Sequence, residues 1–141
     1  MTITQSNIES ITESDLQEFV NDSVPEGLFL DYKATEYGKG DEKINELLKD
    51  VSAFANVQGG HIILGMSEKK GVANRLIGFK EGINVDKEML RMEQIIRNGL
   101  EPSLQVRMTA VALTDDKQAI VVRVPRSWNA PHRVSRNGTN K

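Results

Sequence analysis

The stretch VSAFANVQGGHIILGMSE, residues 51–68, decides the fold. Its first half continues an apolar set begun at Ile44, Leu47 and Leu48. Val51, Phe54 and Ala55 extend that set at three- and four-residue spacing, which predicts an amphipathic helix over about 42–56. Its second half, HIILGM (61–66), is a continuous apolar run between turn formers, the pattern of a central strand. Gly59 and Gly60 stand between the two and suit a left-handed helix cap with a tight entry to the strand.

The pattern keeps alternating outward from this centre. Ser14 and Gln17 have capping-box spacing and open a helix over about 14–22, with Leu16, Phe19 and Val20 on one face. Pro25 ends that region. Leu28, Leu30 and Tyr32 then alternate with Phe29, Asp31 and Lys33 as a strand. YGKGDEK (37–43) is a loop in which Asp41 is placed to cap the next helix. Beyond the central strand, SEKKG (67–71) reads as a turn and RLIGF (75–79) as a short strand. Asp86 opens a second helix over about 86–99, with Met89, Leu90, Met92, Ile95, Ile96 and Leu100 as its apolar set. Leu104, Val106 and Met108 alternate, followed by Val111 and Leu113. TDDK (114–117) is a hairpin turn, and QAIVVRVP (118–125) is the return strand. No element is expected after Pro125. The order α-β-α-β-β-α-β-β predicts an α+β domain, a mixed β-sheet with two main helices packed on it. An acidic helical segment, 1–23, precedes one domain, 24–141. The final RSWNAPHRVSRNGTNK ends without a closing element, which suggests a domain cut from a longer protein.

The chain has 141 residues, 38% hydrophobic and 5% aromatic, which suits one domain with a modest aliphatic core. No apolar run approaches the ~20 residues that span a bilayer. MTITQSNIES lacks the basic and apolar regions of a secretory signal. The absence of cysteine excludes disulfides and thiolate metal sites and fits a cytoplasmic location. There is no P-loop, and the Gly-rich QGGHIILG follows a helix rather than opening one, so its glycines read as structural.

A net charge of −2 argues against indiscriminate nucleic-acid binding. The charge is unevenly placed. Residues 1–31 hold Glu9, Glu13, Asp15, Glu18, Asp22, Glu26 and Asp31 and no Lys or Arg. Residues 119–141 hold Arg123, Arg126, Arg133, Arg136 and Lys141 and no acid. The two segments either neutralise each other or present opposite faces, and the basic one is either a phosphate contact or a solvated tail.

PEGLFLDYKA (25–34) gathers Glu26, Asp31 and Lys33. A strand alternates with period two, so Asp31 and Lys33 share a face. Glu26 sits at an odd offset from Asp31, and Gly27 permits a bend that brings it back. Glu68 follows the central strand and reaches Asp31 if the two strands are neighbours. Carboxylates repel, and a group of them placed around Mg²⁺ or Mn²⁺ would activate water and stabilise charge developing on a phosphate. The alternative is three solvated surface acids. His61 reads as structural. His132, between Pro131 and Arg133, is a candidate phosphate contact. Trp128 reads as a loop anchor rather than a base-stacking platform.

Taken together, EGLFLDYK (26–33), VSAFANVQGGHIILGMSE (51–68), GLEPSLQ (99–105), the hairpin and SWNAPHRV (127–134) resemble the Schlafen AlbA-like domain, from about residue 24 to 141. The resemblance implies an α+β fold that binds nucleic acid, often at the N-terminus of bacterial transcriptional regulators. In some members three acids form a metal-dependent endoribonuclease site. Carried over, they fall on Glu26, Asp31 and Glu68, and the family's lysine falls on Lys33. Asp31 stands where the family has Glu, Tyr32 where it has Phe, Val57 where Thr is frequent, and Ser67 where many members have an acid. The family's nucleases pair two such lobes, which a homodimer of this chain would supply.

Two expectations follow. One is a nucleic-acid-binding domain, for DNA or RNA, of a transcriptional regulator or defence protein. Its phosphate contacts are Lys33, Lys69, Lys70, Arg123, Arg126, His132, Arg133 and Arg136. The other is a divalent-metal-dependent endonuclease with Glu26, Asp31 and Glu68 as ligands and Lys33 as charge stabiliser.

Overall fold

The computed structural model describes Ile3 and residues 6–135; Arg136 and Lys141 of the basic segment lie outside the described residues. A 3-10 turn (Ile8–Ser10) leads into α1 (Glu13–Asn21), β1 (Leu30–Lys33), α2 (Asp41–Val57) and β2 (Gly60–Leu64). Then come β3 (Met66–Lys69), β4 (Val72–Leu76), α3 (Val85–Gly99), β5 (Leu100–Glu101), β6 (Arg107–Ala112), β7 (Gln118–Val124) and β8 (Arg133–Val134). A four-stranded sheet has the order β1-β2-β7-β6, and two small antiparallel pairs, β3-β4 and β5-β8, flank it. β1 and β2 are parallel, with Asp31 opposite Ile62, and α2 is their crossover. β7 is antiparallel to both β2 and β6, so the sheet is mixed, as expected.

Both faces of the sheet are covered. Ile62, Leu64, Ile120 and Val122 point into one core with Leu47, Leu48 and Val51 of α2 and Met92 and Ile96 of α3. Ile63, Val121, Leu30 and Tyr32 point into a second core with Leu16 and Phe19 of α1. β2 is therefore apolar at successive positions because neither of its faces meets water. Each such side chain contributes about 1.5–3 kcal/mol by leaving water. The two main helices share one face, and α1 lies on the other.

Several boundaries differ from the sequence reading, each for a local reason. The capping box of α1 is Thr12 with Asp15 rather than Ser14 with Gln17. The Asp15 carboxylate accepts from the Thr12 amide at 2.9 Å, and Thr12 has the extended backbone a cap requires. Gly40 caps α2, and Asp41 is its first helical residue, where a carboxylate favours the helix dipole. Asn84 caps α3 by accepting from the Lys87 amide at 3.0 Å, so Asp86 lies inside the helix. The HIILGM run breaks at Gly65, whose φ of +98° turns the chain out of the sheet. SEKKG is mostly β3, with Lys70 and Gly71 as its turn, and the short strand expected at 75–79 is β4, shifted toward the N-terminus. β8 had no local signal and exists because Leu100 and Glu101 are there to pair with it. Leu90 lies on the exposed face of α3. Among the described residues, no helix is long and apolar enough to cross a membrane.

Candidate functional site

The approach to β1 is a tight turn. The Gly27 amide donates to the Leu30 carbonyl at 3.0 Å, leaving Leu28 and Phe29 exposed at the tip. The chain doubles back, and Glu26 comes to lie beside the strand, where its Oε2 accepts from the Tyr32 amide at 3.0 Å. The odd offset between Glu26 and Asp31 is thus cancelled by a turn at Leu28 and Phe29, across which Gly27 bridges to Leu30. The Asp31 carboxyl meets the Glu26 side chain. Burial, and then that bond to Glu26, push Asp31 up to about 6, against the pull of Lys33.

Asp31 and Lys33 do share a face, 3.5 Å apart. α2 lies over that face and adds Glu46 at 2.9 Å and Asp50 at 3.4 Å from the same ammonium. The Tyr37 hydroxyl donates to Asp50 at 2.7 Å, and its ring lies beneath the Lys33 ammonium. Burial alone would lower the Lys33 pKa. The hydrogen bond to Glu46 and the charges of Asp50 and Asp31 outweigh it and hold the pKa above its ordinary value. Burial raises the Asp50 carboxyl, whereas its bond to Lys33 lowers that of Glu46. Lys33 is therefore committed to carboxylates of its own chain. Sequence reasoning missed Glu46 and Asp50. Their only signal is an i, i+4 spacing, which any solvated helix face shares.

Glu68 is placed differently. β2 does neighbour β1, but the chain leaves the sheet at Gly65 and carries Glu68 onto the β3-β4 hairpin. There its Oε1 accepts from the Gly71 amide at 2.8 Å. The hairpin tip packs against the other end of the site, with the Glu26 amide donating to the Gly71 carbonyl at 2.7 Å. Glu68 thus approaches the neighbourhood of Glu26 without completing a cluster. Among the described residues, no group of three or more His, Cys, Asp or Glu is placed to hold a metal. The expected trio does not form a donor set. Of the three acids, Glu26 and Asp31 remain side by side. An open cleft of about 370 Å³ lies over this pair, lined also by Leu28, Asp50, Phe54 and Val57.

The expected cations separate into two groups. Lys69 and Lys70 are exposed on the hairpin, and Arg126 is exposed after β7; none pairs with a described acid. Arg123, by contrast, is spent inside the molecule. Its Nε–H donates to His61 Nε2 at 3.0 Å, and its terminal nitrogens donate to the carbonyls of Ile3 and Ser6. It ties the N-terminal segment to the sheet. His132 is 4% exposed, so it cannot face a phosphate. Its Nδ1–H donates to the Pro102 carbonyl at 2.6 Å, and its Nε2 accepts from the Ser127 hydroxyl. Asn56 holds both the amide and the carbonyl of His132, at 2.7 and 3.0 Å. Arg133 pairs with Glu101 at 3.1 Å. Arg136 lies outside the described residues. Trp128 is not the loop's anchor: it is 85% exposed, and His132 does the anchoring.

Burial, and then the Arg123 charge, depress the His61 imidazole from 6.5 to about 4. The unfolded chain takes up this proton near pH 6.5 and the folded chain only near 4. Stability from His61 is therefore complete above that window and lost as the pH falls through it. An NMR titration should find the His61 ring neutral at pH 6; a midpoint near 6.5 would mean that neither its burial nor Arg123 keeps it so.

The Schlafen, AlbA_2 family model matches residues 26–140. The chain belongs to this family. The Schlafen AlbA_2 match opens at Glu26 and takes in the turn, the cleft, the hairpin and the loop after β7. Among solved structures, the chain is similar to the N-terminal domain of an ATP-dependent DNA helicase RecG-related protein from Nitrosomonas europaea. The two are 21% identical with a TM-score of 0.67, over 93% of this chain and 85% of that one. It is also similar to the DIP2311 protein from Corynebacterium diphtheriae, 18% identical with a TM-score of 0.51. That match covers 86% of this chain and 23% of the other, so the chain spans about a quarter of its length. At these identities the likeness is one of fold. No curated protein matches the chain.

Proposed function

We propose that this Schlafen AlbA_2 domain binds nucleic acid through its phosphates, as the cytoplasmic DNA- or RNA-binding part of a transcriptional regulator or defence protein. The observation that carries this reading is the set of exposed cations that pair with no described acid. Lys69 and Lys70 project from the hairpin beside Glu26, and Arg126 projects beyond the C-terminal end of α2. The RecG-related neighbour, from a protein named for a DNA helicase, adds support. Three phosphate contacts predict an affinity loss between roughly 50 and 200 mM salt of about 40-fold on duplex DNA and about 20-fold on single strands. Fluorescence anisotropy with labelled single-stranded and duplex DNA and RNA measures it, beside a Lys69→Glu/Lys70→Glu variant. Salt-independent affinity, or an unaffected variant, would sink the reading.

A second reading rests on Glu26 and Asp31. Two neighbouring carboxylates are hard donors for a divalent cation, and Mn²⁺ or Mg²⁺ held there would supply Lewis-acid activation of water for phosphodiester cleavage. Asp31 and Glu26 would hold the ion and Lys33 would balance charge. Calorimetric titration with Mn²⁺, together with cleavage of labelled RNA in Mn²⁺ or EDTA, tests it. Binding and cleavage should both vanish in Asp31→Ala, and a variant that cleaves as well as the parent would refute it.

A further inference from the structure

We propose that Trp128 and Arg126 form a stacking platform for one unpaired base of a single-stranded nucleic acid, an inference that rests on the binding function proposed above. Trp128 is the chain's single tryptophan and is 85% exposed. A ring of that size in water has lost the burial that usually stabilises it. Flexibility does not account for its exposure, because the loop carrying it is tied down on several sides. The Ser127 amide donates to the Ala55 carbonyl at 3.1 Å, so the loop is bonded to the last turns of α2. The Asn129 amide donates to the Ser127 hydroxyl oxygen at 3.1 Å, and that hydroxyl in turn meets the buried His132 ring. Asn56 clamps His132 from the helix side. Residues on both sides of Trp128 are thus held by hydrogen bonds while its ring is presented to solvent.

The second element is Arg126, whose guanidinium lies 4.8 Å from the centre of the indole. This cation–π contact orients the ring and puts a positive charge beside it. Arg126 has no ion pair with a described residue, and its charge is available to a phosphate. At 85% exposure the indole keeps at least one broad face open, wide enough for a nucleobase. A base stacked on that face would bring its backbone phosphate toward the guanidinium. Aromatic stacking beside a cation is the arrangement that holds unpaired bases with little preference for sequence. A duplex cannot use it, because its bases are already stacked on each other. A phosphate-only site would need no aromatic group.

Trp128 as the only indole makes the test direct. Its intrinsic emission is followed while the protein is titrated with an oligothymidylate, an abasic oligonucleotide of equal length, and a duplex. Anisotropy of the same labelled oligonucleotides is read in parallel. The expected result is quenching by the oligothymidylate only, with Trp128→Ala weakening single-strand binding roughly tenfold and Trp128→Phe restoring most of it. Duplex and abasic binding should be unchanged in Trp128→Ala. Binding by anisotropy with no quenching, and with equal affinities in the variant, would overturn the platform and leave the binding function standing. No binding by anisotropy would overturn both. A blue shift of the emission with protein concentration alone would show that a second copy covers the ring, and that also refutes the platform.

Discussion

Gly59→Ala is expected to cost about 3 kcal/mol of stability and to lower the melting temperature by roughly 10 °C. Gly59 has φ +81°, a region that a side chain enters only with strain. A Cβ there would stand 2.6 Å from the Val124 carbonyl oxygen and 2.8 Å from the Arg126 amide nitrogen. Both are backbone atoms, and Val124 is registered opposite Gly60 in the sheet, so neither can move alone. The clash would push apart the end of α2 and the start of the loop that carries Arg126 and Trp128. The variant should therefore lose nucleic-acid affinity as well as stability. Gly27→Ala is the control. Nothing lies within 4 Å of its added carbon, and its effect should stay within about 0.5 kcal/mol. Denaturant midpoints of the two variants measure the difference, and equal midpoints would show that the contact at Gly59 relaxes freely.

Lys33→Met should destabilise the chain by about 2–3 kcal/mol at pH 7, because it strands Asp31, Glu46 and Asp50 around a position that no longer holds a cation. The deficit should shrink as the pH falls. Without the ammonium, the folded-state pKa values of Asp31 and Asp50 rise further above their unfolded values, and Glu46 loses the bond that holds its own below. The folded variant then binds protons that the unfolded chain does not, and acid favours it. Asp31 gives the parent protein a milder slope of the same sign, opposed between pH 6.5 and 4 by that of His61. Asp31 titrates near 6 when folded and 3.8 when unfolded, so its contribution is complete below 3.8 and lost as the pH rises through 6. Asp31→Asn should remove that slope. Chemical denaturation of the three proteins across this range provides the check. A Lys33→Met deficit that is constant with pH would mean that solvent screens the network and the site is only a charged surface.

Much of this was legible in the chain. Period and punctuation located α2, β2, α3 and the β6-β7 hairpin, because each buries an apolar face large enough to impose its own spacing. The D-x-K alternation placed Asp31 and Lys33 together, since strand geometry is local. The bend expected at Gly27 falls instead at Leu28 and Phe29, and Gly27 does not take the left-handed backbone that only glycine favours. Helix starts were harder. Thr12 and Ser14 offer the same chemistry three residues before a polar partner, and only the path of the entering chain chose between them.

What the sequence determined by itself was therefore the class of fold, the identity of the core and the pairing of Asp31 with Lys33 on one strand face. These follow from residue spacing along a few turns or strand positions. Tertiary structure alone decided which charges meet. Glu46 and Asp50 reach Lys33 because α2 crosses over β1, and Glu68 misses Asp31 because Gly65 takes its strand out of the sheet. Arg123 and His132, basic and polar in the sequence, turn inward because the N-terminal segment and the Pro102 carbonyl are there to be bonded. Trp128 turns outward for the complementary reason: buried hydrogen bonds hold its loop, so its ring is not needed to do so. Side-chain chemistry sets what a residue can bond to, but long-range packing sets which partner is within 3 Å, and that distance decides whether a charge stays inside the fold or remains available to a ligand.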